Sequence, residues 1–369
     1  MNNIAAIKRS VANEEFDALL ILSPENRLFA TGFETSDGAL LVTSSEAWFY
    51  TDMRYIEAAT AAISDAYVKL VTNDSTYTKQ IASIIAEKHI NSIGFEDSSL
   101  SYTKYHEWDE KLSSELREIE PGRSPSTRIE LMPAQKLLND LRMIKSSDAL
   151  EIMIEAQRIS EKSFNEILPL ISTDMTEKDL AAELIYRLLK NGADDKSFDP
   201  IIVSGPKSSM PHGVPGNVKI GKGFLTIDFG ARYDGWCSDT TRTLCIGAPD
   251  EEMAKVYDTV LKAQEAGINA ARAGIAASQV DAAARDVIKD AGYGEYFGHG
   301  FGHGVGIQVH EAPTASPISK DVLQAGAIIS AEPGIYLPGR YGVRIEDVIY
   351  ITENGCENIT KLPKNLIVL

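Results

Sequence analysis

Hydrophobic and polar positions switch between two periods along the first third of the chain. Apolar side chains recur at helical spacing over residues 2–16, which predicts an amphipathic helix. DALLILSP (17–24) is almost continuously apolar and reads as a buried strand, while ALLVT (39–43) and AWFYTD (47–52) read as strands joined by a short polar turn. A helical period returns over 76–90, and INSIGFE begins another strand. This mixture predicts an α/β domain with mixed strands over residues 1–125. The run PGRSPSTRIELMP (121–133) interrupts every period, so the boundary is expected there, with a linker at 126–134.

Residues 135–369 open with helix punctuation. Ser147 and Asp148 are N-cap candidates for a helix reaching about residue 168. Thr176 and Asp179 form a capping box ahead of Leu180, Leu184 and Leu188, and Gly192 closes that helix. Ser278 and Asp281 repeat the device before Ala284, Val287 and Ile288, with Gly292 as the stop. Strands are expected at IIVS (201–204), FLTIDFG (224–230), TRTLCI (241–246), AIISAE (327–332) and VRIEDVIYIT (343–352). Helices followed by antiparallel-looking strands define an α+β domain. No strong internal repeat is visible, although two helix-then-strand units are compatible with a cryptic one.

Composition narrows this picture mainly by exclusion. A chain of 369 residues exceeds what one core usually holds, in keeping with two domains. At 44% hydrophobic and 24% charged residues it is an ordinary globular sequence, and wholesale disorder is excluded. No apolar run approaches the roughly 18 residues of a membrane span, and MNNIAAIKRSVANEEFD lacks the apolar core of a secretory signal. The net charge of −17 argues against nucleic-acid or anionic-lipid partners, because counterion release rewards clustered Lys and Arg. Cys237, Cys245 and Cys356 are odd in number and lack CxxC spacing, so reduced thiols in a cytoplasmic protein are expected.

The chemistry concentrates in the second half. Three of the six histidines, His299, His303 and His310, fall within FGHGFGHGVGIQVHE, and His212 precedes them. Alternating glycines around His299 and His303 permit close approach by a ligand, a metal or a second strand, and each disfavours a helix by about 1 kcal/mol. Carboxylates also interrupt the apolar strands. In LTIDFG the residues Leu225, Ile227 and Phe229 share one face and Asp228 lies on the other; Asp239 opens the strand of CSDTTRT, Glu332 ends AIISAE, and Glu346 sits inside VRIEDVIY. Any one of them could face solvent or pair with Arg232, Arg242 or Arg344. Four beside a His-rich segment point to metal, since an uncompensated buried carboxylate costs several kcal/mol. Oxygen donors with a single imidazole suit a pair of ions such as Mn²⁺, Co²⁺, Fe²⁺ or Zn²⁺. Two metals about 3.5–4 Å apart can share and activate a water.

Rival motifs fail. Gly216-NVKI-Gly221-Lys222 is followed by Gly223 instead of Ser or Thr, and by a strand instead of a helix; His310-Glu311 lacks the second His of a zinc-protease helix; no GxSxG is present. The blocks SFDPIIVSGPKSSMPHG, TIDFGARYDGWCSDTTRT, FGHGFGHGVGIQVHEAP, AEPGIY and GVRIED, in this order over 135–369, resemble the pita-bread metallopeptidases, which include aminopeptidase P, prolidase and methionine aminopeptidase. Residues 1–125 resemble the N-terminal domain of aminopeptidase P, prolidase and creatinase. The resemblance implies a C-terminal pita-bread fold behind an α/β creatinase/prolidase-type domain. It also implies two divalent ions, manganese foremost, held by Asp228, Asp239, His303, Glu332 and Glu346, with Asp239 and Glu346 bridging. Glu332 would also act as general base and then acid; His212 and His310 would bond the substrate and its oxyanion. His299 would line the substrate pocket, and Arg344 would orient a carboxylate ligand. Trp236 stands where relatives often carry Tyr.

The implied substrates are peptides with proline in second position, and the implied assembly is a homodimer with N-terminal domains shaping substrate access. Prolidases of this family typically clamp the substrate carboxylate with an Arg between the second catalytic His and the EPG motif. Residues 311–331 contain no Arg, only Lys320, which favours an aminopeptidase P-like enzyme over a strict Xaa-Pro dipeptidase. A metal-free creatinase-like hydrolase and a non-catalytic peptide-binding module are remoter alternatives, because both should have lost ligands.

Overall fold

The structure, a computed structural model, describes residues 2–121 and 128–369. Residues 122–127 of the expected boundary run, and with them the first two of the expected linker, lie outside the described residues. Contacts divide the chain into Met1–Arg142 and Met143–Leu369, later than the expected second-domain start at 135. The helix Gln135–Met143 stays largely with the first unit for a local reason. Gln135 N donates to Asp97 Oδ1 at 3.0 Å, and Arg142, only 4% exposed, donates to Asn26 Oδ1 at 3.0 Å.

The first unit is built on a six-stranded sheet in the order Tyr67–Leu70, Ala47–Thr51, Ala39–Thr43, Ala18–Ile21, Ser92–Phe95, Glu130–Pro133. Ala39–Thr43 runs antiparallel to both its neighbours, and the remaining pairs are parallel. The expected helix over 2–16 is shorter, Ile4–Val11, with Ile4, Ile7 and Val11 buried. It stops where ANEE supplies no further apolar contact.

In the second unit, Ile201–Ser204, Gly223–Phe229 and Thr240–Ile246 form an antiparallel sheet. The helices Ser147–Ile167 and Glu177–Lys190 share a core with it, Ile159, Phe164, Leu180, Leu184 and Leu188 packing with Leu225, Ile227 and Phe229. A second antiparallel sheet runs in the order Glu311–Ala315, Gly302–Gly304, Ile328–Ala331, Asp347–Ile351, Cys356–Asn358, beside the hairpin Gly334–Leu337/Tyr341–Arg344. Glu251–Ala270 and Ala277–Asp290 share the other core, through Val256, Val260, Val280, Ala284 and Ile288 against Ile329, Val343 and Ile349. Burying such side chains contributes roughly 1.5–3 kcal/mol each.

The two halves of this unit echo each other. Thr176 bridges Lys219 and Ala276 bridges Val322, each at the entry to a 14-residue helix. Their caps differ. The Thr176/Asp179 box is present, with Thr176 N donating to Asp179 Oδ2 at 2.8 Å and Asp179 N to Thr176 Oγ1 at 3.1 Å. The expected Ser278/Asp281 box is not, because that helix already begins at Ala277 behind an Ala276 cap without a side-chain bond. Asp281 instead binds Arg285 and accepts from Phe301 N at 2.9 Å. The first helix of the unit is likewise capped one residue earlier than expected, by Ser146. Among the described residues no helix is long and apolar enough to cross a membrane.

Candidate metal centre

All four carboxylates sit where the chain passes from one sheet to another. Asp228 is the penultimate residue of Gly223–Phe229, after which Ala231–Tyr233 joins a separate small sheet. Asp239 lies between Trp236–Cys237 of that small sheet and Thr240–Ile246. Glu332 follows Ile328–Ala331 and precedes Gly334–Leu337. Glu346 separates Tyr341–Arg344 from Asp347–Ile351, so the single strand expected over 343–352 is two strands in different sheets. At a sheet junction the side chain is released from strict alternation, which lets carboxylates from four segments turn into one crevice.

His303 reaches the same crevice from the short strand Gly302–Gly304, threaded between Glu311–Ala315 and Ile328–Ala331. Its glycine neighbours are needed by the backbone, since a Cβ on Gly302 would lie 2.0 Å from Ser330 O and one on Gly304 2.3 Å from Ala312 O. Of the three close approaches the glycines allow, the one at these two positions is a second strand. His303 Nδ1 donates to Gly304 O at 3.1 Å, which turns Nε2 towards the acids. Nε2 lies 3.1 Å from Glu332 Oε1 and 3.7 Å from Asp239 Oδ2. Ligand atoms of Asp239, His303 and Glu346 all fall within 4.8 Å of one another.

Around these donors runs a set of hydrogen bonds. Arg344, 3% exposed, donates to Asp228 Oδ2 at 2.5 Å, to Tyr336 Oη at 2.9 Å and to Thr241 Oγ1 at 3.1 Å. Thr241 in turn donates to Glu346 Oε2 at 2.7 Å. Tyr336 Oη donates to His299 Nε2 at 2.9 Å, and His299 Nδ1 donates to Gly300 O. Ser330 Oγ links His303 N to Glu332 Oε1. Asp228 Oδ1 and Glu346 Oε1 are buried without a hydrogen-bond partner among the described residues.

Charge in the cluster is unbalanced. Burial, then the charges of Glu346, Asp228 and Glu332, holds Asp239 well above the ordinary carboxylate range. Burial, with Glu332 and Asp228, does the same to Glu346, and burial raises Asp228 against the opposing Arg344. Glu332 goes the other way, to about 2, because the His303 hydrogen bond and charge outweigh its burial. Burial holds His299 and His310 below the usual imidazole value, so both are neutral donors or acceptors near pH 7. Four acids against one guanidinium and one imidazole call for further positive charge. The donor chemistry and the two unpartnered oxygens fit divalent cations.

A cavity of about 710 Å³ opens onto the cluster, and Asp228, Asp239, His303, Glu332, Glu346 and Arg344 all line it, as do His212, His299 and His310. The His310 ring meets His303 edge-on at 4.3 Å between centroids. Phe198, Ile201, Val214 and Pro215 add an apolar wall. The sequence reading did not single out Tyr336, Thr241 or Ser330. Tyr336 and Thr241 lie inside quoted motifs, AEPGIY and DTTRT, but nothing local shows that their hydroxyls serve carboxylates distant in sequence. Trp236 is buried, 5% exposed, and pairs with Tyr233 in the small sheet.

Residues 151–353 match the model of metallopeptidase family M24, and residues 4–144 match that of the creatinase/prolidase N-terminal domain. The chain therefore belongs to metallopeptidase family M24, the pita-bread metallopeptidases, in the two-domain form. It is 35% identical over 354 residues to an Xaa-Pro dipeptidase of Pyrococcus furiosus, covering 95% of each chain. The structure of an Xaa-Pro dipeptidase from Bacillus anthracis superposes with a TM-score of 0.89 at 36% identity, covering 100% of this chain and 98% of that one. An X-Pro aminopeptidase from Thermotoga maritima gives 0.88 at 33% identity, covering 98% and 100%. The protein is thus a metallopeptidase, with an Asp/His/Glu site able to hold a metal ion.

Proposed function

We propose that this enzyme is an Xaa-Pro dipeptidase working with two divalent ions, held by Asp228, Asp239, His303, Glu332 and Glu346. The reading is carried by the two buried, unpartnered oxygens, Asp228 Oδ1 and Glu346 Oε1, in a cluster with surplus acid. Substrate class is supported by the Pyrococcus and Bacillus relatives, both named Xaa-Pro dipeptidases and similar over nearly the whole chain. This moves the balance from the aminopeptidase reading favoured by the missing Arg. When bound, such ions supply Lewis acidity and a nucleophilic water at neutral pH.

The chain's own residues have separable tasks. Glu332 accepts a proton from the attacking water and returns it to the leaving nitrogen. Neutral His310, with His212, donates to the substrate carbonyl as its oxygen gains charge. Arg344 fixes Asp228, and through Tyr336 it fixes the ring of His299 in the substrate pocket. Manganese is the first ion to test, given oxygen donors with one imidazole, followed by cobalt, zinc and iron. The same reading makes the protein a homodimer, as the family resemblance implies, and a cytoplasmic one without nucleic-acid partners, supported by the cysteine pattern and the acidic balance.

A second reading, an aminopeptidase accepting longer peptides, is favoured by one observation. Residues 311–331 have no Arg, and Lys320 is exposed and not part of the cavity wall. Kinetics on Xaa-Pro against Xaa-Pro-Xaa, after chelation and restoration with each metal, decides between them. Faster turnover of the tripeptide would overturn the dipeptidase reading, and full activity after exhaustive chelation would overturn the metal.

A further inference from the structure

We infer that an ion pair between buried Glu177 and Lys207 positions His212 for the substrate by fastening both ends of the loop that carries it. The inference rests on the substrate role proposed for His212. Glu177 is the first residue of the helix Glu177–Lys190 and is 0% exposed, a place where an unpaired carboxylate would be strongly unfavourable. It is saturated instead. Its Oε1 accepts from Ser204 N at 2.9 Å and Ser204 Oγ at 3.3 Å, and its Oε2 accepts from Gly216 N at 3.0 Å and Lys207 Nζ at 2.6 Å.

Ser204 ends the strand Ile201–Ser204, and Gly216 closes the excursion that follows, so one carboxylate grips both ends of residues 205–215. Lys207 adds a cross-brace by donating to Val214 O at 2.6 Å, two residues beyond His212. On the other side of His212, Pro211 O accepts from Arg344 Nη1 at 3.2 Å. The loop is pressed against its own strand, since a Cβ on Gly213 would meet Val203 Cγ1 at 2.6 Å. His212 itself is exposed to the cavity, and no hydrogen bond among the described residues holds its ring. Its placement is therefore set by the backbone of a loop hung between two charged anchors, Arg344 of the metal cluster and the Glu177–Lys207 pair. Glu177 and Lys207 are positioning residues. A donor displaced by about 1 Å from a developing oxyanion loses on the order of 10²-fold in rate.

The test is a double-mutant cycle on whichever of Xaa-Pro or Xaa-Pro-Xaa the wild-type enzyme cleaves, with metal content and Tm measured for each variant. Glu177→Gln and Lys207→Met should each lower kcat by about 10-fold or more with little change in KM, and Lys207→Arg should recover most of the loss. In a His212→Ala background the same changes should cost less than about 2-fold, because the group they position is gone. Equal losses in both backgrounds would mean that the pair acts elsewhere and would overturn the inference, as would unchanged kcat in the single variants. Wild-type kinetics for His212→Ala alone would remove the role of His212, a failure distinct from that of the clasp. If Glu177→Gln does not fold, the Lys207 variants, at a side chain 27% exposed, complete the cycle.

Discussion

Glu346 and Asp347 are consecutive residues, each 1% exposed, yet their surroundings are opposite in kind. Asp347 accepts from Arg242 Nη2 at 2.8 Å, Gln264 Nε2 at 2.9 Å and Asn358 Nδ2 at 2.6 Å, with Lys364 Nζ at 3.2 Å. Burial would raise its pKa, but the charges of Arg242 and Lys364 prevail and lower it. Among the described residues Glu346 has one donor, Thr241, and one buried oxygen with none. The protein thus satisfies one carboxylate with its own cations and, on the reading proposed above, leaves the other for cations from outside. Burial and acidity are common to both. What separates a structural acid from a ligand is whether the fold supplies its counter-charge.

Breaking the two sides should give opposite results. Glu346→Gln, or Asp239→Asn, is expected to reduce turnover by at least about 10³-fold while leaving the metal-free fold as stable or more so, since it removes a charge without a partner. Steady-state kinetics and thermal denaturation of the same samples check both halves. Asp347→Asn should instead destabilise by about 3 kcal/mol, because it strands Arg242 in the core, and should retain activity at temperatures well below its Tm. A Tm equal to wild type would contradict the structural role.

The same contrast should appear against pH. The folded-state pKa values of Asp239 and Glu346 are raised, so in metal-free protein their ionisation destabilises the fold as pH climbs from about 4 through those raised values. Metal-free enzyme is therefore expected to melt higher at pH 5 than at pH 8, and saturating divalent ion should remove that slope. Asp347, with a depressed folded pKa, contributes stability present above about pH 4 and lost as pH falls through its lowered value. Comparing wild type with Asp347→Asn below pH 4 should show the difference in stability shrinking. The smallest expected effect is at the outer contacts. Tyr336→Phe frees Arg344 from one partner and should weaken metal binding by about 10-fold, measured by calorimetric titration, with the fold intact.

Much of this was legible before the structure, though unevenly. Apolar periods located the strands at 18–21, 39–43, 201–204 and 223–229, because burial of alternate or continuous hydrophobic positions is a local property of the chain. Helix ends were less secure. The Thr176 box exists, but Ser278 resembles a cap only on paper, since the chain enters that helix two residues earlier through a bridge from Ala276 to Val322. Acids and histidines stood out as candidates by residue type and by their setting in apolar or glycine-rich runs. Their roles as ligands came from family resemblance and remain part of the proposal.

By itself, then, the sequence determined which residue types are available and which stretches must be buried, since both follow from side-chain chemistry and short-range periodicity. It could not show that the apparent strand over 343–352 breaks at Glu346, nor that Asp228, Asp239 and Glu332 stand at similar breaks. Only the tertiary structure decided this, because a sheet junction is defined by partners far apart in the chain. It also decided which buried acid receives a counter-charge. Arg242 and Asp347 are 105 positions apart, and no local pattern pairs them or withholds such a partner from Glu346.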